Sequence, residues 1–254
     1  MNVAEKFVRI LKKNKINDVF IYPGGTIAPI INACEKLQVK IHNFKSEQGA
    51  GYAAIGAYKT TKKPQVLMVT SGPGVTNAIT PLADAFYDSV PLILITGQIG
   101  TKDLAKRKNV RQRGFQEVPT LDLVNKISKS KILIKDLKNF EKKIQFLFNT
   151  AVTERPGPIV IDFPMNIQRT TMTEGKNKLE KKQNLSKKTN LKTLKKINDL
   201  ITKSKKPLLL LGNGSNDKKN YNLIKKLISK YNFQVITSLL GIGSYDTRKN
   251  NHYG

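Results

Sequence analysis

Residues 44–54 read FKSEQGAGYAA and place one acid, Glu47, between an apolar run and a segment of glycine and alanine. An acid where a strand should give way to a close-packed helix has two explanations. It is an ordinary first-turn acid favoured by the helix dipole, or it meets a group that offsets the cost of burying it. Three predicted strand ends carry glycine: YPGGT (22–26), TSGPGVTN (70–77) and TGQIGT (96–101). In an open α/β sheet, ligands bind outside the carboxyl ends of the strands, and glycine there lets backbone approach a ligand closely. Each segment could equally be a tight turn and nothing more. GPGVTN is not a phosphate loop, because it lacks the GxxxxGKS/T spacing and its lysine, and no GxGxxG opens a helix after the first strand. GNGSND (212–217) could contact a dinucleotide or an adenosine group, and is otherwise a turn.

The elements that must position these residues follow from hydrophobic periodicity. Strands are predicted at DVFIYP (18–23), VKIHNF (39–44), QVLMVT (65–70), PLILITG (91–97), KILIK (131–135) and PIVIDFP (158–164). Helices are predicted between them: VAEKFVRILKK, then APIINACEKL, and NFEKKIQFLFNTAV with Ile144, Phe146, Leu147 and Val152 on its buried face. Alternation of this kind predicts an α/β fold, a doubly wound, mostly parallel six-stranded sheet with helices on both faces, over residues 1–167. From Gln168 to Lys188 the composition turns Lys/Asn/Thr-rich and reads as an exposed linker, 168–188. A second α/β unit spans 189–254, with a helix at LKTLKKINDLITKSKK, a buried strand at PLLLLGNG, a helix at NLIKKLISKY and a strand at FQVITS. Two strands make a poor independent core, so this second domain is expected to be incomplete.

Composition excludes several classes of function. Cys34 is the only cysteine among 254 residues, so no internal disulfide and no Cys/His metal site is expected, and a reducing compartment is favoured. No apolar run approaches the ~18 residues of a membrane span, and the N-terminus lacks a signal-peptide core; the expected location is cytoplasmic. The net charge of +27 raises the question of nucleic acid. Lysine supplies nearly all of the excess and is spread over almost every polar segment, without zinc-finger spacing or an RNA-recognition aromatic motif. A lysine-biased solvated surface is therefore expected rather than a nucleic-acid site.

Five stretches together carry a resemblance. DVFIYPGGTIAPI, then SEQGAGYAAIGAYKTTKKPQVLMVTSGPGVTNAITPLADAFYDSVPLILITGQ, then RGFQE, then ERPGPIVIDFP, and more weakly PLLLLGNG through TSLLGIG, follow in this order. The chain resembles thiamine-diphosphate-dependent enzymes, and within them the acetolactate synthase large subunit. The resemblance implies that residues 1–167 bind the pyrimidine of the cofactor. It makes Glu47 the activating acid, hydrogen-bonded to N1′ of the aminopyrimidine so that the amino group can draw off the thiazolium C2 proton. Such an acid has to be kept dry. Gly49, Ala50, Gly51, Ala53 and Ala54 would let the Glu47 helix pack against a second copy in a homodimer or tetramer.

By the same resemblance, Pro23, Gly24 and Gly25 form the turn near the reactive centre. Thr70, Gly72, Pro73, Gly74 and Asn77 form the turn beside the pyrimidine, and Phe115 and Gln116 line the substrate side. Arg155 matches an arginine that contacts FAD in flavin-retaining members; from its own neighbourhood it could equally cap a strand or pair with an acid. The implied reaction is decarboxylation of a small 2-ketoacid such as pyruvate and carboligation to a second carbonyl, as in branched-chain amino acid biosynthesis. Three positions depart from the acetolactate synthase pattern: Ser46 stands for histidine, Met165 for lysine and Gly100 for proline. Other thiamine-diphosphate lyases or decarboxylases, including those of polysaccharide synthesis, accept such changes, and a non-catalytic subunit is the alternative of another class. The family holds the diphosphate and Mg²⁺ on a C-terminal domain marked by GDG, a motif missing from these 254 residues. The chain is thus expected to need that domain in cis or in trans and to be inactive alone.

Overall fold

The computed structural model describes residues 1–105, 109–172 and 190–253. The chain divides into two compact units, residues 1–183 and 184–254. In the first unit the chain runs through α1 (Val3–Lys13), β1 (Asp18–Ile21), α2 (Ala28–Lys36), β2 (Lys40–Asn43), α3 (Glu47–Thr61), β3 (Gln65–Val69), α4 (Pro73–Tyr87) and β4 (Leu92–Gln98). It continues through α5 (Thr101–Ala105), α6 (Thr120–Leu123), β5 (Ser130–Leu133), α7 (Phe140–Val152), β6 (Ile159–Pro164) and α8 (Met165–Arg169). All six predicted strands are present, and every pairing is parallel, in the order β2-β1-β3-β4-β6-β5.

Burial explains which strands sit where. β3, β4 and β6 are buried at every residue and form the centre, whereas β2 and β5 carry partly exposed residues and form the edges. Successive side chains point to opposite faces. Val66, Met68, Ile93, Ile95, Ile161 and Phe163 therefore enter a core shared with α1, α2, α7 and α8. Leu67, Val69, Leu92, Leu94 and Val160 enter a second core under α3 and α4. Phe163 anchors the first core, edge-on to Phe7 at 5.6 Å and tilted against Phe140 at 6.0 Å. Asn2 and Glu5 close a reciprocal capping box at the start of α1. Cys34 is fully buried in this core, and burial pushes its thiol up to about 12.

Three local expectations need correction. On α7 the buried face is Phe140, Ile144, Leu147, Phe148 and Ala151; Phe146 and Val152 are exposed, because they lie off the 3.6-residue stripe that faces the sheet. Gln168, read as the first linker residue, lies in α8 and is fully buried, its amide donating to the carbonyls of Phe163 and Thr26. Residues 173–188 of that expected linker fall outside the described residues. Third, Ala50, Gly51 and Ala54 pack inward against this chain's own fold. A Cβ added at Gly51 would stand 2.5 Å from Cγ of Pro81 in α4, so the glycine is required for helix contact within one chain. Gly51→Ala should overpack this contact and lower unfolding stability by about 1–3 kcal/mol, readable as a shift in the urea midpoint at unchanged slope.

The second unit contains α9 (Leu191–Lys203), β7 (Leu208–Leu211), α10 (Lys218–Tyr231) and β8 (Gln234–Thr237), with β7 and β8 paired in parallel. Its core is Leu211, Ile228, Phe233 and Val235. β7 was expected to be buried, yet Leu208 and Leu210 are exposed, since within this unit helices cover only one face of the two strands. GNGSND ends β7 in a turn whose Asn216 amide donates to the carbonyls of Leu240 and Ile242.

Candidate active site at the sheet switch point

From β1 the chain crosses to β2 on one side, and from β3 to β4 on the other. The carboxyl ends of β1 and β3 therefore flank the point where winding reverses, which is where a doubly wound sheet opens a crevice. The glycine turns sit there. Gly24 packs directly on the Thr70 side chain. Thr26 Oγ1 lies 2.8 Å from Thr70 Oγ1 and accepts from the backbone N–H of Ser71 at 3.0 Å. A Cβ at Gly97 would collide with Thr26, so the end of β4 closes against the same side chain. Thr26 and Gln168 thus join the turns after β1 and β3 to β4 and α8; both were missed as site residues. Thr26 was visible only as the last letter of YPGGT, and Gln168 was hidden in a segment whose composition resembles a linker.

Glu47 is the first residue of α3. Its helix is capped by Ser46, whose Oγ accepts from the Gly49 N–H at 3.1 Å, which accounts for serine at that position. Glu47 is 5% exposed. Asn77, one turn into α4, donates its amide to Glu47 Oε2 at 3.0 Å. Among the described residues no hydrogen bond reaches Oε1, which faces the Gly72–Gly74 turn: a Cβ on Gly74 would lie 3.6 Å from it. Ser71, in that turn, is buried and its hydroxyl has no partner. An acid oxygen without a partner beside bare glycine backbone suits a flat heterocycle with ring nitrogens and an amino group, such as an aminopyrimidine.

The other expected residues distribute unevenly. Pro23 and Gly25 are exposed beside the crevice, and nothing lies within 4 Å of a Cβ built on Gly25. Gly72 has φ +62° and packs against Gln116, itself left-handed at φ 55°. This brings Gln116 to the turn after β3, while Phe115 is 85% exposed. Arg155 does not join the group. It binds the far end of α4, donating to Ser89 Oγ at 2.8 Å and to the Tyr87 carbonyl at 3.1 Å. Asn77 stands near the N-terminus of that 15-residue helix, so most of a ~22 Å helix separates the two.

Near the end of β6 lies a buried acid, Asp162, accepting from Thr96 Oγ1 at 2.8 Å and from Gln98 Nε2 at 3.0 Å. Burial pushes its carboxyl from 3.8 up to about 6, against the lowering effect of those hydrogen bonds. The folded chain therefore holds this proton more tightly than the unfolded chain, and the associated stability is lost as pH rises from about 4 through 6. The loss approaches about 3 kcal/mol at neutral pH. Unfolding free energies of the chain and of Asp162→Asn, measured from pH 4 to 7, should diverge by that order; parallel curves would reject the assignment.

Residues 1–124 match the thiamine pyrophosphate enzyme N-terminal TPP binding domain family. Over nearly its whole length the chain is also similar to acetolactate synthases. It is 32% identical over 256 residues to the mitochondrial acetolactate synthase catalytic subunit of Saccharomyces cerevisiae, covering 94% of this chain and 36% of that protein. It is 32% identical over 254 residues to the acetolactate synthase large subunit of Lactococcus lactis subsp. lactis, covering 95% and 41%. The chain is thus a homologue of thiamine-diphosphate-dependent enzymes and is acetolactate synthase large subunit-like, spanning about two fifths of these relatives. Its fold matches the crystal structure of a "putative thiamin diphosphate-dependent enzyme" from Mycobacterium smegmatis, with a TM-score of 0.88 over 100% of this chain and 48% of that one, at 18% identity. Among the described residues, no helix is long and apolar enough to cross a membrane.

Proposed function

We propose that this chain supplies the activating carboxylate of a thiamine-diphosphate-dependent, 2-ketoacid-decarboxylating carboligase of the acetolactate synthase type. The observation that carries this reading is Glu47: 5% exposed, fixed through Oε2 by Asn77, with Oε1 directed at a glycine turn. When bound, thiamine diphosphate supplies a thiazolium carbon that adds to the keto carbon and takes up the electron pair left by departing CO₂. This chain's part is to hold and move a proton. Glu47 Oε1 would share it with N1′ of the aminopyrimidine, in a site dry enough for that hydrogen bond to be strong. The backbone of Gly72–Gly74 would lie against the ring, Pro23, Gly24 and Gly25 would border the reacting carbon, and Gln116 with Phe115 the substrate.

The diphosphate and Mg²⁺ fall, in this reading, to a domain marked by a GDG motif. A second copy would dock on the outer face of α3, where Gly49, Tyr52 and Gly56 are exposed. Flavin enters only through Arg155, two of whose N–H groups already serve the end of α4. The test is product analysis. With the diphosphate-binding domain, thiamine diphosphate and Mg²⁺ present, labelled pyruvate should yield acetolactate. Free acetaldehyde as the sole product would make the protein a decarboxylase of the same superfamily, and no turnover would favour a non-catalytic subunit.

A further inference from the structure

Gln98, the last residue of β4, makes three hydrogen bonds with one buried amide. Its Oε1 accepts from the Ile99 N–H at 2.9 Å, and its Nε2 donates both to Asp162 Oδ2 at 3.0 Å and to the carbonyl of Val118 at 3.3 Å. Gln98 and Asp162 are each 2% exposed. Val118 directly follows the loop that carries Phe115 and Gln116. That loop is closed on itself: the Glu117 carboxylate accepts from the Arg113 backbone N–H and guanidinium, and the Glu117 N–H donates to the Gly114 carbonyl. Pairing with Arg113 holds the Glu117 carboxyl below its usual range. A self-closed loop still has to be attached to the sheet at a set height, and among the described residues Gln98 supplies the side-chain bond that does so.

We infer that Asp162 and Gln98 are positioning residues: the buried carboxylate fixes the orientation of the Gln98 amide so that its N–H group tethers the Phe115–Gln116 loop through Val118. The chemistry of the donors requires an acceptor at position 162. An ionised carboxylate only accepts, so Nε2 must turn toward it and is thereby also presented to Val118. The flipped amide would set oxygen against two acceptors and nitrogen against the Ile99 N–H. This inference concerns the loop's position; its consequence for catalysis rests on the reading of Gln116 given above.

Two variants separate tethering from core stability. Gln98→Leu removes the amide and with it the bond to Val118; Asp162→Asn alone need not, because its Oδ1 can stay on Gln98 while its Nδ2 donates to the Thr96 hydroxyl, which accepts as well as donates. Asp162→Asn combined with Gln98→Glu keeps a donor–acceptor pair between the two residues and an acceptor for Ile99, but leaves an oxygen facing the Val118 carbonyl. Amide hydrogen exchange reads the loop, with Arg113 and Glu117 as reporters because their acceptors lie inside it. Gln98→Leu should speed their exchange about tenfold and lower the thermal midpoint. The double variant should recover the midpoint while exchange stays fast. Unchanged exchange in the single variant, recovery of loop protection in the double, or a loss spread evenly over β4 and β6 would each overturn the inference. In the assembled enzyme, KM for the acceptor 2-ketoacid should rise about tenfold while C2 proton exchange of the cofactor is unaltered. A loosened loop with unaltered KM would retain the tether and reject the role given to Gln116.

Discussion

Glu47→Gln should slow C2 proton exchange of bound thiamine diphosphate by at least 100-fold while leaving the chain folded. Glutamine has the same length and can keep an oxygen toward the Asn77 amide, so the contact at 3.0 Å can survive. What it cannot do is carry a proton at the oxygen that faces Gly74, and general acid–base groups of this kind contribute roughly 10² to 10⁴ in rate. The competing explanation, a first-turn acid on the α3 dipole, predicts the reverse pattern: about 0.3–1 kcal/mol of stability lost and exchange untouched. Deuterium exchange at C2, quenched in acid and read by proton NMR, together with a thermal melt of the same variant, decides between them. Exchange at the unmodified rate would remove Glu47 from the proposal.

Gly72→Ala should cost about 3 kcal/mol of stability and displace the 115–116 loop. At φ +62° a side chain carries ~1–2 kcal/mol of backbone strain. The added Cβ would also stand 2.7 Å from both Cβ and the carbonyl oxygen of Gln116, an overpacking worth a further ~1–3 kcal/mol because one of the opposing atoms is backbone. Gly25→Ala is the internal control. With open space around it and no positive φ, it should shift the urea midpoint by an amount equivalent to less than ~0.5 kcal/mol. Equal effects at the two glycines would mean that the Gly72–Gln116 contact does not hold in solution.

All six strands of the first unit were legible because each is a short apolar run bounded by turn residues, and central parallel strands are apolar on both faces. Their lateral order was not. Nothing local in KILIK says that it lies outside PIVIDFP, so it was not legible that Asp162 would face Gln98. The turns were legible through glycine, and Glu47 through the oddity of a charge at a close-packed junction. Thr26 and Gln168 are ordinary polar residues whose roles arise only when β1, β3 and β4 end side by side. Arg155 was legible through its motif alone, and its engagement with the far end of α4 was not. The small residues of α3 were legible as a packing surface, but Ala50, Gly51 and Ala54 serve the interior because the strip that fits Pro81 is built from the same letters as one that would fit a partner helix.

Cys34 sits at full burial with its thiol pushed up to about 12, so at neutral pH almost none of the reactive thiolate is present. The folded chain should therefore react slowly with maleimides and nitroxide reagents, and a cysteine introduced at exposed Phe115 should take up a fluorophore or spin label far faster than Cys34. The molecule comes ready for one-site spectroscopy of its own substrate-side loop, with no native thiol to remove first.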